Sequence, residues 1–358
     1  MVAFALYRLP YAKEYTKLVQ HKGELEELFS YTKLNGKQGF VMAPFNVSPN
    51  EPILLMHPDE EVHYPIGMES GITMNRLTIK EIEQNLSNRE RYAIDFANFH
   101  TQIERGEFSK IVLARSKEIA IEAETSPETL FLNACERYPR LFIALVSMPK
   151  CGTWLIATPE VLLEGNGDQW HTMALAGTMK LKKDQLDFDI PFGDISRSIF
   201  WARKDIMEQR YVADYITEVI ERFTFDYNEE GPYTCRAGNL VHLRSDFNFT
   251  LKGKGQLGSL LNELHPTPAV CGLPKEDVRQ FILQNESRPR RYYSGFAGML
   301  NPEGSTHIFV SLRCMEIKGN HYILHAGGGL LLDSKEEQEW EETEAKMETI
   351  LQVIENRQ

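Results

Sequence analysis

No apolar run in this 358-residue chain approaches the roughly 20 residues that carry a helix across a bilayer. The opening stretch MVAFALYRLPYAKEY has neither a basic leader nor a small-residue cleavage site, so a cytoplasmic location is expected. Positive charge is scarce: 39 Lys and Arg stand against 51 Asp and Glu, a formal net charge of −12. That balance argues against a general binder of nucleic acid or of a membrane surface, because each needs a basic face to meet phosphates. An anionic ligand would need a local basic pocket. The five cysteines are odd in number, scattered and never in a C-x-x-C arrangement, which suggests neither a disulfide framework nor a zinc site. They are expected to be reduced and mostly buried. Repeats, low-complexity tracts and long linkers are also missing, so one intertwined domain over residues 1–358 is expected rather than two.

What is present is ample core material, 42% hydrophobic residues, arranged in short strand-like runs and longer helical ones. FALYRL, GFVMAPF and PILLMH read as strands of one sheet, and a helical pattern runs from about Thr78 to Glu104. TSPETLFLNACERYPR starts a helix, with Thr125 or Ser126 as N-cap and Pro127 in the first turn. LFIALVSM and GTWLIATPEVLLEG follow as two strands. From Asp194 to about Phe223, apolar residues at Val212, Ile216, Val219, Ile220 and Phe223 make a helical stripe. The last third predicts a helix near Lys275 to Gln284, the strands YYSGFAGML, HIFVSLRCMEI and HYILHAGGGLLL, and a helix from about Ser334 to Asn356. The short turns NPEG and KGN between strands imply antiparallel pairing, hence a mixed α+β protein with large antiparallel sheets.

Several residues could carry chemistry. In EFSKIVLARSKEI, alternation puts Lys110 on the same strand face as Phe108, Val112 and Ala114, where a lysine has no ordinary business. On the last helix Trp340, Met347, Ile350, Leu351 and Ile354 form an apolar stripe, with Glu339, Glu342 and Lys346 on another face. Asp205 and Glu208 make a similar acidic pair at i and i+3. Like charges at that spacing repel, so a helix that turned them inward would need a cation, and carboxylates suit Mg²⁺; the alternative is two solvated acidic faces. HAGGGLLLDS could bring backbone N–H groups to an anion or form a plain turn, and it does not match a dinucleotide-binding fingerprint. SRPRRYY is the one dense cationic cluster, readable as a surface patch. His242 alternates with apolar neighbours, as a satisfied core histidine does. Glu160 closes the apolar run GTWLIATPE, and an inward lysine with an inward glutamate would make a base and an acid if burial tuned both.

Taken together these stretches resemble the chorismate-utilising enzymes, which include isochorismate synthases, salicylate synthases and the anthranilate synthase large subunit. The likeness runs in order through KIVLAR, TPEVLL, LAGT, KDIMEQ, VHL, HPTPAVCGLP, RRYYSGFAG, VSLRC, HAGGG and EWEETEAK, from about Phe96 to Gln352. Residues 1–95 match loosely, so 96–358 is the motif-bearing core. The resemblance implies a fold of two face-to-face antiparallel sheets flanked by outer helices. It implies Lys110 as the general base that activates water, where ammonia-using members carry glutamine, and Glu160 as the general acid. It implies Glu208 and Glu342 as Mg²⁺ carboxylates with Asp205 and Glu339 in support. Tyr293, Arg313, Gly327 and Lys346 match the pocket for the substrate's carboxylates, Gly177 and Thr178 a backbone contact beside the ring, and His242 a histidine lining the same site.

Three positions depart from the family pattern: Gln209 stands for a histidine, Arg291 for a glycine, and Gly328 for the second alanine of Ala-Gly-Ala-Gly. Lys110 implies water as nucleophile and therefore no glutamine amidotransferase partner; a monomer is expected. Ala269, where the lyase-capable members carry threonine, favours isochorismate over salicylate as product. Menaquinone synthesis is expected ahead of siderophore supply, and a non-catalytic chorismate-binding protein is the reading from another class.

Overall fold

The computed structural model describes residues 2–67, 79–82, 87–122, 125–180, 200–238 and 240–355. Two sheets carry the fold. The ten-stranded first sheet runs β15 (Gly272–Leu273), β8 (Lys110–Ile121), β19 (His321–Leu330), β18 (Cys314–Lys318), β10 (Gly152–Thr158), β9 (Phe142–Met148), β1 (Ala3–Arg8), β2 (Glu14–Gln20) and β6 (Glu60–Pro65), with β7 (Ile79–Glu81) also paired to β8. The nine-stranded second sheet runs β13 (Thr224–Ala237), β14 (Leu240–Leu251), β12 (Gln169–Lys180), β11 (Val161–Asn166), β17 (Ser305–Val310), β16 (Phe296–Leu300), β4 (Gly39–Ala43), β5 (Ile53–Met56) and β3 (Glu26–Leu28). Every strand pair among the described residues is antiparallel. The turns NPEG and KGN join β16 to β17 and β18 to β19 as the sequence implies.

Period-2 burial explains the layering. Ala5, Val146, Trp154 and Ile156 of the first sheet meet Met42, Leu54, Met173 and Phe309 of the second in a shared core, and Phe142 stacks on Phe309 with centroids 4.1 Å apart. Helices cover the outer faces. The stripe Val212, Ile216, Val219 and Ile220 of α3 (Arg203–Phe223) packs with α4 (Leu257–Leu264) on the second sheet. The first sheet is covered by α2 (Pro127–Arg137) and α6 (Glu336–Glu355). At the Lys110 end of β8, α1 (Asn88–Glu104) and α5 (Lys275–Asn285) close the barrier to solvent. All five cysteines are buried and unbridged.

The structure corrects several expectations. The N-terminal strands are divided between the two sheets rather than forming one, and both sheets end in them. Ile79–Glu81 is a strand, and α1 starts at Asn88, where the Ser87 side chain and Glu90 form a reciprocal capping box. Ser126, one of the two candidates, caps α2 by accepting from the Thr129 N–H. Thr78, Asp194 and Asn356, which bound the predicted helices, lie outside the described residues.

The most consequential correction concerns two runs read as single strands. GTWLIATPEVLLEG breaks at Pro159–Glu160, so that β10 lies in the first sheet and β11 in the second. HIFVSLRCMEI breaks at residues 311–313, taking β17 and β18 the opposite way. Because β10 pairs with β18 and β11 with β17, the two crossings run side by side. The Val310 N–H donates to Glu160 O at 3.0 Å and the Ala157 N–H to Arg313 O at 3.2 Å, tying them together. Proline has no N–H for a ladder, which suits Pro159 to the break. Glu160 and Arg313 therefore sit where the sheets part.

Candidate active site

Lys110 is fully buried, 0% exposed: β8 is flanked by β19 and β15, α5 covers the opposite face through Ile111 and Leu113, and Glu208 of α3 lies against the lysine side. Its Nζ lies 3.1 Å from Glu208 Oε1 on the second turn of α3. The neighbour is thus a carboxylate, where the sequence reading placed apolar walls. A close approach makes this pair possible: a β-carbon on Gly329 would stand 2.0 Å from Glu208 Oε1 and 2.9 Å from Lys110 Cε. The acidic faces are not solvated. Glu208 is buried, Glu339 is 1% exposed, and Asp205 and Glu342 are half-buried. Glu339 in fact shares the buried face of α6 with Thr343, Met347 and Ile350, rather than lying off it.

Three lysines answer these acids. Lys110 pairs with Glu208, Lys204 with Glu339, and Lys346 with Glu342 at 2.7 Å, while Lys346 Nζ also donates to Gly327 O at 2.8 Å. Burial opposes ionisation of Glu208, but the charges of Lys110, Lys204 and Lys346 outweigh it and hold its carboxyl below the usual range. Glu339 is pushed up to about 7, burial and the Glu342 charge prevailing over Lys204. Asp205 rises to about 6 through burial and the charge of Glu208, against Lys204.

Among the described residues no three acids stand together as a ready set of metal ligands. The donors nevertheless fit a hard divalent cation. Glu339 Oε2 is buried without a hydrogen-bond partner. A β-carbon on Gly328 would stand 3.5 Å from Glu339 Oε2 and 3.8 Å from Glu342 Oε1, so the two carboxylates converge beside that glycine. An all-oxygen donor set of this kind suits Mg²⁺.

The opposite side of the cleft is built from the sheet crossings. Glu160, 3% exposed, has its carboxyl pushed up to about 8: burial dominates, although Lys110, Lys346 and Arg313 all pull the other way. Arg313, at a left-handed φ of 45°, donates to Ala237 O at 3.1 Å and to His242 Nε2. That donation leaves the proton on His242 Nδ1, which donates to Gly177 O at 3.0 Å. Burial, with Arg313 and Lys346, holds His242 neutral by lowering it well below its usual value. Gly177 occupies a β-bulge between β12 and β14 at φ 72°, with its α-carbon side pressed against Asp205, so a glycine is needed there.

One cleft with about 630 Å³ of open space is lined by Glu160, Gly177, Thr178, Glu208, His242, Ala269, Tyr293, Arg313, Gly327 and Lys346. Lys110, Asp205, Glu339 and Glu342 do not line it: Lys110 stands behind Glu208, and Glu342 behind Lys346. His242 is both a satisfied core histidine and a wall of this cleft. Sequence reasoning missed Lys204, His325 and Gly329; for Lys204 the signal was available, a cation one turn before Glu208 on a predicted helix. The departures are absorbed locally. Gln209 donates to Ser245 Oγ at 2.9 Å. Arg291 adopts φ 52° where a glycine is usual and pairs with Glu316 and Glu51. Arg290 pairs with Glu286 and donates to the carbonyls of Val112 and Val270, so SRPRRYY is no free surface patch.

With this site in a two-sheet frame, the chain belongs to the chorismate-binding enzymes: the family described as "Chorismate binding enzyme" matches residues 67–355. Among curated proteins it is 28% identical over 343 residues to the isochorismate synthase EntC of Escherichia coli strain K12, covering 92% of this chain and 85% of EntC. Its fold is that of DhbC from Bacillus anthracis, TM-score 0.83 at 22% identity over 98% of this chain and 96% of the other. The menaquinone-specific isochorismate synthase MenF of Escherichia coli follows, with TM-score 0.80 at 21% identity over 99% and 88%. The two face-to-face antiparallel sheets with outer helices are those the sequence resemblance implied.

Proposed function

We propose that the protein is an isochorismate synthase, converting chorismate to isochorismate with Mg²⁺. The observation that carries this is a glutamate held protonated by burial in a cleft whose other wall holds Glu208, the partner of the buried Lys110. In the proposed reaction Lys110 takes a proton from the water that attacks C2 of chorismate. The ring double bonds shift as the C4–O bond breaks, and Glu160 gives its proton to the departing hydroxyl, so one water enters and one leaves. Arg313 and Tyr293 receive a substrate carboxylate, with Lys346 adding positive charge, and His242 stays neutral to accept from Arg313 and fix its direction. Glu208 and Glu342 would hold Mg²⁺, with Asp205 and Glu339 in support; when bound the ion supplies positive charge for the ring carboxylate.

The similarity to EntC over most of both chains supports this activity, and Ala269, which places no hydroxyl in the cleft, supports isochorismate over salicylate. Water as nucleophile leaves no role for a glutamine amidotransferase subunit. No described helix is long and apolar enough to cross a membrane; a cytoplasmic monomer is our reading, checked by fractionation and sedimentation. Menaquinone synthesis is the pathway we assign, checked by quinone content in a deletion strain. The deciding experiment incubates purified protein with chorismate and Mg²⁺ and separates the products. Isochorismate is expected; salicylate as main product would replace the reading by a lyase, and undiminished chorismate would reduce the protein to a binder.

A further inference from the structure

Behind the cleft, across the stacked rings of Tyr293 and His325, whose centroids are 5.3 Å apart, lies a second, narrower pocket that opens to solvent. These two side chains line both spaces and form the wall between them. The remaining walls come from α1, the middle of β8 and residues 287–290, none of which the proposed reaction uses.

Two features set this cavity apart. Its lining holds Arg91, Arg115, Arg288 and Arg290 against one acid, Asp95, in a chain whose net charge is −12. Asp95 is already engaged by the Ser287 hydroxyl at 2.7 Å, and Arg290 by Glu286. It also gathers polar atoms that are buried without a hydrogen-bond partner: Tyr92 Oη, Ser116 Oγ, His325 Nε2 and Arg115 Nη1. Tyr92, Ser116 and His325 are 2%, 8% and 7% exposed. Arg115 spends its Nε on Thr343 at 2.6 Å and its Nη2 on Glu344, which leaves Nη1 as a directed, charged donor. Folded proteins satisfy nearly all such groups, so four orphans on residues that line one pocket call for a partner the protein itself does not supply.

We propose that this cavity binds a small hydroxylated aromatic carboxylate, and that its occupant is felt in the catalytic cleft through the Tyr293–His325 wall. The arginines supply the carboxylate's partner, Arg115 through its unengaged Nη1 with Arg91 adding charge, Arg288 being paired with Glu118 at 3.6 Å. Ser116 and Tyr92 hydroxyls and the His325 ring nitrogen meet ligand hydroxyls, while the ring faces of Tyr92, Tyr293 and His325 offer flat walls for an aromatic body. A bare anion would satisfy the arginines and leave the hydroxyls unanswered. Because Tyr293 also lines the cleft, displacing its ring alters substrate binding without occupying the substrate's place.

The test titrates the full-length protein calorimetrically with 3,4-dihydroxybenzoate and, separately, with inorganic phosphate. Four proteins are compared: wild type, Ser116→Val, Arg115→Met, which keeps a side chain over Trp340, and Arg313→Gln, which cripples the cleft. Wild type and Arg313→Gln are expected to bind the aromatic acid alike, Ser116→Val and Arg115→Met at least tenfold more weakly, and phosphate should bind none. Ser116→Val should turn over chorismate at the wild-type rate. In wild type the acid should raise KM for chorismate to a plateau rather than linearly. Absence of binding, binding lost through Arg313→Gln but kept in Ser116→Val, phosphate binding as tight as that of the aromatic acid, or a linear competitive effect would each overturn the proposal. The calorimetric arms read the site even if chorismate is not turned over, so failure here and failure of the synthase reading are separable.

Discussion

The two sides of the cleft solve the same problem, a buried glutamate, in opposite ways. On the helix side Glu208 has Lys110 Nζ at 3.1 Å, with Lys204 and Lys346 acting on it as well, and its carboxyl is held below the usual range. On the strand side Lys110, Lys346 and Arg313 act on Glu160 through space rather than by a hydrogen bond, and burial keeps it protonated up to about pH 8. Distance to the cation, and not the number of cations, separates a carboxylate from an acid here, because Coulombic attraction must exceed desolvation to ionise a buried group. One cleft can therefore hold a charged cradle for a cation and a proton donor at once. His242 belongs with Glu160, since burial and the same cations keep it neutral.

The largest break in this contrast is Lys110→Gln. The amide fills most of the same space, so the fold should be retained by circular dichroism, but kcat/KM for chorismate should fall by about 10²–10⁴-fold as the base is lost. Wild-type rates in this variant would end the assignment of the base. Next comes Glu160 itself. Its acid form is the active one, so wild-type kcat/KM should fall as pH rises through about 8. Glu160→Gln should lower kcat/KM by at least about 10²-fold and abolish that alkaline limb. The sign for stability is the reverse. A glutamate raised from its unfolded value near 4.3 costs stability once pH passes that value, because the unfolded chain ionises and the folded one does not. Melting at pH 7 should thus show Glu160→Gln to be more stable than wild type, the mark of a residue kept for chemistry.

How far the sequence reaches differs between these two sides. The Lys110 strand, the α3 stripe and the hairpins at NPEG and KGN are legible because local periodicity and turn chemistry express them directly. The crossings at Pro159–Glu160 and 311–313 are not: apolar alternation continues through both, and it reports burial without saying in which sheet. Glu339 looks like its exposed neighbours Glu337 and Glu341, and its partner Lys204 is 135 residues away. The edge strands β3 and β6 are rich in charge, as edges are, and so imitate loops, and β2 beside β6 shares that character. Roles for Glu160 and Glu342 came from family resemblance; spacing alone left them as ordinary acids.

Two adjacent glycines sharpen the contrast at smaller scale. A methyl on Gly329 would stand 2.0 Å from Glu208 Oε1 and 2.9 Å from Lys110 Cε. The carboxylate end could swing aside only by abandoning Lys110, so Gly329→Ala should cost about 1–3 kcal/mol by overpacking and lower kcat/KM by roughly 10²-fold through misplacement of the base. Gly328→Ala puts its methyl at 3.5 Å and 3.8 Å from Glu339 and Glu342, ordinary contact distances. Its φ lies outside the left-handed region, and alanine is what the family resemblance expects there. This substitution should stabilise the protein by about 0.4–1 kcal/mol in thermal unfolding, through the entropy of the unfolded chain, and change kcat/KM by less than about threefold. Since one position abuts the Lys110–Glu208 contact and the other the open carboxylate cradle, equal effects of the two alanines would mean that the contact does not govern the charged side of the cleft.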